Sequence, residues 1–381
     1  MKAIQVSSFG APEVLRLAEL PDPAPGPGEV TIDVTYAAVG LIDVFIRQGL
    51  YRDRPGLPQP PYVPGLEVAG TVRALGEGVA GFEVGEPVVT LSANSGTGGY
   101  AAIFVSDAAY VAPMKDVSLD PALAVAVVPN GATAHLALTQ IARIRDGEQV
   151  LVHGALGGLA AGFPGTARQL GASRVVGTVR ASDLDAAQQA RLPYDEIIDS
   201  AELPARLAGE RFDIIIDPVG GSVRTASIDL LAPGGRLLLV GNASGDWNHQ
   251  IDSNRIWRGN LAVLGFSAGS FLPGHKDLAR PAATAAIIAA AAGLAQAHVE
   301  TLPLSSAAAA HERLENHSVN GRLVLHPRAG GPRPRGRHAR WSRTATRPCT
   351  TAPSTPASSP ACSQPCGTPR SVSSTRGPVL F

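Results

Sequence analysis

The segment Val150-Leu151-Val152-His153-Gly154-Ala155-Leu156-Gly157-Gly158-Leu159-Ala160 constrains this chain more than any other. A short apolar strand runs into a turn of small residues and then into a helical pattern over 161–170, with Pro164 in its first turns. Small residues at 154, 157 and 160 let the backbone approach a pyrophosphate, and a helix start supplies unpaired N–H groups. A glycine turn alone says little, but this one sits in a series. Residues 174–179, 212–217, 235–241 and 261–266 are further short apolar strands separated by helical segments. Continuous apolar strands joined in this way form a parallel sheet covered on both faces. The middle of the chain is predicted as a doubly wound, nucleotide-binding sheet.

The texture before residue 125 is different. Glu29-Val30-Thr31-Ile32-Asp33-Val34-Thr35-Tyr36 alternates polar and apolar residues as a half-buried strand does. Residues 67–72 and 86–91 read the same way, and glycines at 76, 78, 81 and 85 punctuate the connections. This part is predicted to be mostly β. Residues 320–327 predict a last turn and strand.

Charge is unevenly spread. The 381 residues balance 32 basic against 32 acidic, but nine Arg lie beyond residue 327 with no Lys or acid among them. The body therefore carries nine more acids than bases, a poor surface for nucleic acid. Residues 331–381 hold fifteen Ser/Thr and nine Pro and predict disorder. They read as out-of-frame translation of a GC-rich gene or a cloning remnant; a nucleic-acid-binding arm is the alternative. All three cysteines (Cys349, Cys362, Cys366) lie there, so the body offers neither a disulfide nor a thiolate metal site. The start lacks a signal-peptide pattern, and the stretch read as most apolar, 282–297, is too short and Ala-rich to span a bilayer. The expectation is a cytoplasmic protein with no membrane or nucleic-acid partner.

The cofactor's identity is decided at the end of the second strand of the parallel sheet. An acid there would hold a ribose 2′-hydroxyl. Here the strand ends Val176-Gly177-Thr178-Val179-Arg180-Ala181-Ser182, with no acid before Asp183. Arg180 and Ser182 suit a 2′-phosphate, which favours NADPH; the alternative for Arg180 is a solvated surface charge.

Over residues 1–327 the chain resembles the medium-chain dehydrogenase/reductases, specifically the zinc-free quinone oxidoreductase branch. The resemblance is carried by residues 42–51, Pro64-Gly65-Leu66-Glu67-Val68-Ala69-Gly70, Gly98-Gly99-Tyr100-Ala101, Asn130-Gly131-Ala132-Thr133-Ala134, the turn at 153–160, Asp217-Pro218-Val219-Gly220-Gly221 and residues 231–236. It implies an α/β fold: a GroES-like, mostly β catalytic domain (1–124), a Rossmann domain with a doubly wound parallel sheet (125–265), and a return segment (266–330), with the active site in the cleft. Zinc-dependent relatives have Cys where this chain has Gly40, His where it has Leu66, and a four-Cys lobe; their absence excludes both zinc sites. Quinone-reducing relatives often carry Asn and Tyr where this chain has Gly40 and Phe45. Their 2′-phosphate ligands match Leu184 and Ser200, which leaves Arg180 and Ser182 to hold that group.

The resemblance also implies roles. Tyr51 matches a pocket tyrosine that can donate a hydrogen bond while uncharged; the alternative is a ring packed on the cleft wall. Thr133 matches a threonine on the nicotinamide side, or is a helix N-cap. The cofactor set is Asn130, Thr133, Gly154, Ala155, Leu156, Gly157, Gly158, Leu159, Thr178, Arg180, Ser182, Gly241, Asn242, Phe266, Asn320 and Arg322, where Arg322 could instead be a solvated strand-end charge. Gly40, Phe45, Tyr51 and Phe271 line the substrate pocket. Trp247, Trp257 and Phe271 form an aromatic rim for a flat substrate, or belong to the core. His135 and His153 read as packing residues. No metal is expected. Without metal or flavin, NADPH delivers a hydride directly to a polarised acceptor. The expected activity is reduction of a quinone or other conjugated carbonyl by a homodimer. The alternatives are an enoyl reductase tailoring a polyketide or aromatic intermediate, and a non-enzymatic NADPH-binding structural or RNA-binding protein.

Overall fold

In a computed structural model, which describes residues 1–54, 56–91 and 98–327, the alternating N-terminal patterns become strands. β1 (Lys2–Val6) and β2 (Leu15–Glu19) form an antiparallel pair. β3 (Glu29–Val39) is the spine of the first sheet. It is followed by β4 (Val68–Leu75), β5 (Pro87–Thr90), β6 (Ile103–Asp107) and β7 (Val111–Pro113). Both β4 and β6 pair antiparallel with β3. Helix α1 (Leu41–Arg47) follows β3 directly, with Gly40 as its N-cap. The Gly40 N–H donates to Asp43 Oδ2 (2.9 Å), closing the first turn and fixing where Phe45 projects.

Helix α2 (Pro121–Leu136) begins where Asp120 caps the amides of Ala122 and Leu123, and a π-helical turn extends it to Ala142. This run of 22 residues is long and apolar enough to cross a bilayer by length and composition alone. The run is mostly buried, as a core helix is. One apolar cluster passes from Ala38, Ala69 and Val89 of the first sheet through α2 to Val150, Val152 and Ile216 of the second. A Cβ on Gly131 would lie 2.9 Å from the Cβ of Ala286, so glycine here lets α2 and the helix Ala279–Ala291 approach closely.

The second sheet contains β8 (Gln149–Val152), β9 (Arg174–Val179), β10 (Glu196–Asp199), β11 (Phe212–Asp217), β12 (Leu231–Leu239) and β13 (Ala262–Gly265). All are parallel, in the order β10-β9-β8-β11-β12-β13. The order reverses beside β8, which opens a crevice at the carboxyl ends of β8 and β11. After the glycine turn, a 3₁₀ turn (Ala160–Gly162) leads into α3 (Phe163–Gln169), where Pro164 needs no donor. β12 starts earlier than expected, at Leu231, and its pairing with β11 skips from Leu231 to Arg236 past Gly234 at φ 82°.

β14 (Val299–Pro303) and β15 (Arg322–His326) then join the first sheet, with β15 antiparallel to β3. The strands not expected from sequence (β2, β6, β7, β10 and β14) are short, and several carry charged or proline ends that blur an alternating pattern. The expectation of disorder over 331–381 lies outside the described residues.

Candidate cofactor and substrate site

The turn after β8 is shaped as a cradle. Gly154 has φ 62°, and the amides of Gly157 and Ala155 donate to Gly154 O and Thr178 O, both at 2.8 Å. Those bonds fold the turn while the amides of Leu156, Gly158 and Leu159 donate to no described acceptor. Beside it, Asn242 follows β12 with both amide atoms buried and unpartnered. A Cβ on Gly241 would come within 2.8 Å of Pro218 O. Asp217 holds the adjoining turn by accepting from the amides of Val219 (2.9 Å) and Gly220 (2.7 Å), and pairs with Arg224 (2.8 Å). Unpartnered amides and an orphaned carboxamide at a sheet's switch point fit a dinucleotide.

At the end of β9, Thr178 is buried and bonded to His153, whereas Arg180 and Ser182 are exposed. Arg180 is not a free surface charge: its Nε pairs with Asp183 (2.7 Å) and Nη2 donates to His317 O (3.3 Å). That bond brings the loop holding exposed Asn320 to the same rim.

Arg322 is not solvated either. It is buried and pairs with Glu67 Oε2 at 2.6 Å. Its side chain lies over the glycine turn, with Cδ and Nη1 at 2.7 and 2.9 Å from where a Gly158 Cβ would be. Its Nε has no partner. Beneath this pair, the Asp43 carboxylate is pushed up to about 7 by burial and by Glu67, against the Gly40 amide and Arg322. The Tyr100 hydroxyl donates to Asp43 (3.3 Å) and meets His311 Nε2 (3.1 Å).

The substrate side is aromatic. Phe45 and Tyr51 meet edge to face at 6.4 Å, and Trp247 meets them at 5.8 and 6.1 Å. Trp247 comes from the loop after β12, so rings from both sheets' segments converge. Tyr51 is half-buried, burial raises its phenol above the ordinary value despite nearby Arg54, and its hydroxyl has no partner among the described residues. Arg54 lies over the Tyr51 ring (5.9 Å) and bonds Ser270, tying this loop to the segment after β13. Phe271 does not join these rings; it stacks on His275 (4.0 Å) and meets Phe266 (5.5 Å), itself buried. Trp247 and Trp257 are 50 % and 73 % exposed, so neither is core, and Trp257 makes no ring contact among the described residues.

On α2, Asn130 is buried where Gly162 touches its backbone. Thr133 is not an N-cap. It lies mid-helix and donates to Pro129 O (2.9 Å), leaving its oxygen able to accept. His135 is half-buried, and burial lowers its imidazole. His153 is sealed between Thr178 Oγ1 (3.0 Å) and Ser227 Oγ (2.9 Å), and burial depresses it to about 4. Gly40 and Leu66 offer no side-chain ligand atom, and among the described residues no group of three or more His, Cys, Asp or Glu could hold a metal ion.

Sequence reasoning assigned no role to Asp43, Glu67, Asp217 or Arg54. Glu67 and Asp217 stand inside motifs quoted above, so a buried acid beside Pro-Gly or before Pro-x-Gly-Gly was the available signal. Arg54 had none.

Residues 26–116 match the model of the alcohol dehydrogenase GroES-like domain, and 192–325 match that of zinc-binding dehydrogenases. Over 250 residues the chain is 34 % identical to a quinone oxidoreductase of Sus scrofa, covering 64 % of this chain and 73 % of that protein. It is 30 % identical to a 2-haloacrylate reductase of Burkholderia sp over 336 residues, covering 86 % and 99 %. A mycobacterial protein solved in complex with NADPH superposes with a TM-score of 0.75 at 31 % identity, covering 86 % of this chain and all of that one.

Proposed function

Because the chain belongs to the medium-chain dehydrogenase/reductase superfamily, in its quinone oxidoreductase-like branch, we propose that this oxidoreductase reduces a quinone or other conjugated carbonyl with NADPH, without zinc. The observation that carries the reading is the Tyr51 hydroxyl: half-buried, held protonated, without a partner among the described residues, and beside a ring from the cofactor half. NADPH, when bound there, would supply the hydride that reduces the acceptor. As charge grows on the acceptor oxygen Tyr51 donates a hydrogen bond to it, and a proton from solvent completes the reduction. Arg322 and the amides of Leu156, Gly158 and Leu159 hold the phosphates, and Asn242 gives its carboxamide to the dinucleotide. Thr133, whose oxygen remains able to accept, would help to hold the nicotinamide end. Arg180 and Ser182 take the 2′-phosphate, for which Arg180 exchanges Asp183. The same proposal has the enzyme working as a cytoplasmic homodimer on a small molecule.

Stopped-flow oxidation of NADPH and of NADH, with 1,4-benzoquinone and 2-cyclohexenone as separate acceptors, tests this. Faster turnover of either acceptor with NADPH is the expected result. NADPH that binds but reduces neither acceptor rejects the activity, and no binding rejects the cofactor.

A further inference from the structure

Three rings in the cleft stand nearly perpendicular to one another. The interplanar angles are 67° for Phe45 and Tyr51, 72° for Phe45 and Trp247, and 88° for Tyr51 and Trp247. No two of them stack, so the trio forms a corner rather than a sandwich. Trp247 is the unusual member: an indole left 50 % exposed while it meets two rings of the other half in T-shaped contacts.

The loop that carries Trp247 is pinned. Ala243 and Ser244 donate to Pro218 O (3.0 Å) and Val219 O (2.8 Å), so its start is fastened to the turn that Asp217 organises. Beyond the indole, His249 Nε2 meets Thr225 Oγ1 (2.6 Å) and its Nδ1 meets Asp246 (3.3 Å). Tyr51 is fixed from its own side by Arg54 and Ser270. A half-exposed tryptophan on an anchored loop loses apolar burial that a flat ligand would restore. The electron-rich faces of indole and phenol attract an electron-poor π-system.

We infer that Trp247 determines the substrate class: with Phe45 and Tyr51 it selects planar, electron-poor bicyclic quinones over acyclic enones. The inference rests on the proposed reductase reading and narrows it. It also disfavours an extended acyl chain as the substrate, because such a chain has no face to stack.

The test compares 1,4-naphthoquinone with 3-buten-2-one as acceptors for the full chain and NADPH, in wild type, W247F and W247L. The expected result is a specificity ratio (kcat/KM for naphthoquinone over butenone) that falls roughly tenfold in W247L and recovers most of that loss in W247F. The loss should appear in KM for the quinone rather than in kcat. A ratio unchanged in W247L, or a wild type that prefers butenone, overturns the inference. A second readout needs no turnover. Titrated naphthoquinone should quench tryptophan fluorescence saturably in wild type and not in W247L. Saturable quenching lost in W247L, without reduction of either acceptor, rejects the reductase reading but keeps Trp247 as the aromatic binding residue. Equal quenching in both proteins rejects Trp247.

Discussion

Arg322 and Glu67 meet at 2.6 Å across 255 residues of sequence, both nearly sealed from solvent. The contact joins the last strand of the catalytic sheet to the Pro-Gly-Leu-Glu segment, and it holds the guanidinium stem against Gly158 of the cofactor turn. One ion pair thereby sets the position of a cation at the cradle and explains why residue 158 has no side chain. A Cβ there would displace the arginine that the turn is built against.

Removing the arginine should therefore cost stability as well as cofactor affinity. R322M takes the guanidinium from a buried carboxylate, a change worth about 3–5 kcal/mol when one partner of such a pair is lost. Thermal unfolding should show a large drop in R322M, and R322M/E67L should recover much of it. A single variant that melts with wild type would mean that the pair contributes little.

Asp43 gives a second, pH-dependent expectation. Its carboxyl is raised from 3.8 to about 7 by burial and Glu67, while the Gly40 amide, Arg322 and Tyr100 act the other way. The folded state therefore binds this proton more tightly than the unfolded chain does. The contribution is fully present below pH 4 and is lost as pH rises through 7, by about 4 kcal/mol in all. D43N keeps the hydrogen-bonding shape without the titration. Its stability relative to wild type should rise between pH 5 and pH 8 in denaturant melts; a constant difference would show that Asp43 does not titrate there.

Much of this could be read from the sequence because each legible feature is local. The strand–turn–helix at 150–160 announces its own chemistry, and apolar runs such as Phe212–Asp217 need only a period and a length. The partners of Arg322 and Arg180 were not legible, because Glu67 and His317 reach them only once two sheets and a returning chain are assembled. Arg180 looked free of an acid, yet Asp183 folds back onto it within one turn. Thr133, four residues after Pro129, had a helix N-cap as its alternative reading. Instead, α2 runs through that proline, with Thr133 bonded to its carbonyl.

His153 titrates with the opposite sign to Asp43. Burial lowers it from 6.5 to about 4, so the neutral ring is what the fold accepts. The stability it confers is present above pH 6.5 and is lost as pH falls towards 4, by about 3 kcal/mol. H153Q should flatten that limb of the stability curve, measured by urea unfolding at pH 7.5 and pH 5. An unaltered slope would assign acid sensitivity elsewhere.

Cofactor choice should turn on the exchange at Arg180. Its pairing with Asp183 competes with a 2′-phosphate, so the two residues should act in opposite directions. R180A should lower the NADPH-over-NADH affinity ratio by roughly tenfold or more, whereas D183N should raise it. Fluorescence titration of both nucleotides reads the ratio directly. Equal changes for NADPH and NADH in R180A would remove Arg180 from the recognition of the phosphate.

Tyr51 is the residue on which the proposed chemistry depends most. Its hydroxyl has no described partner, and the ring is already held by Phe45, Trp247 and Arg54, so Y51F should leave the pocket's walls in place. A donor used as charge develops on the acceptor oxygen acts on kcat and kcat/KM together. Y51F should lower both by roughly 10²-fold with 1,4-naphthoquinone, with little change in KM. A rise in KM alone would make the phenol a contact for the bound substrate. Unchanged kinetics would leave the ring as wall and move the hydrogen-bond donor to another group.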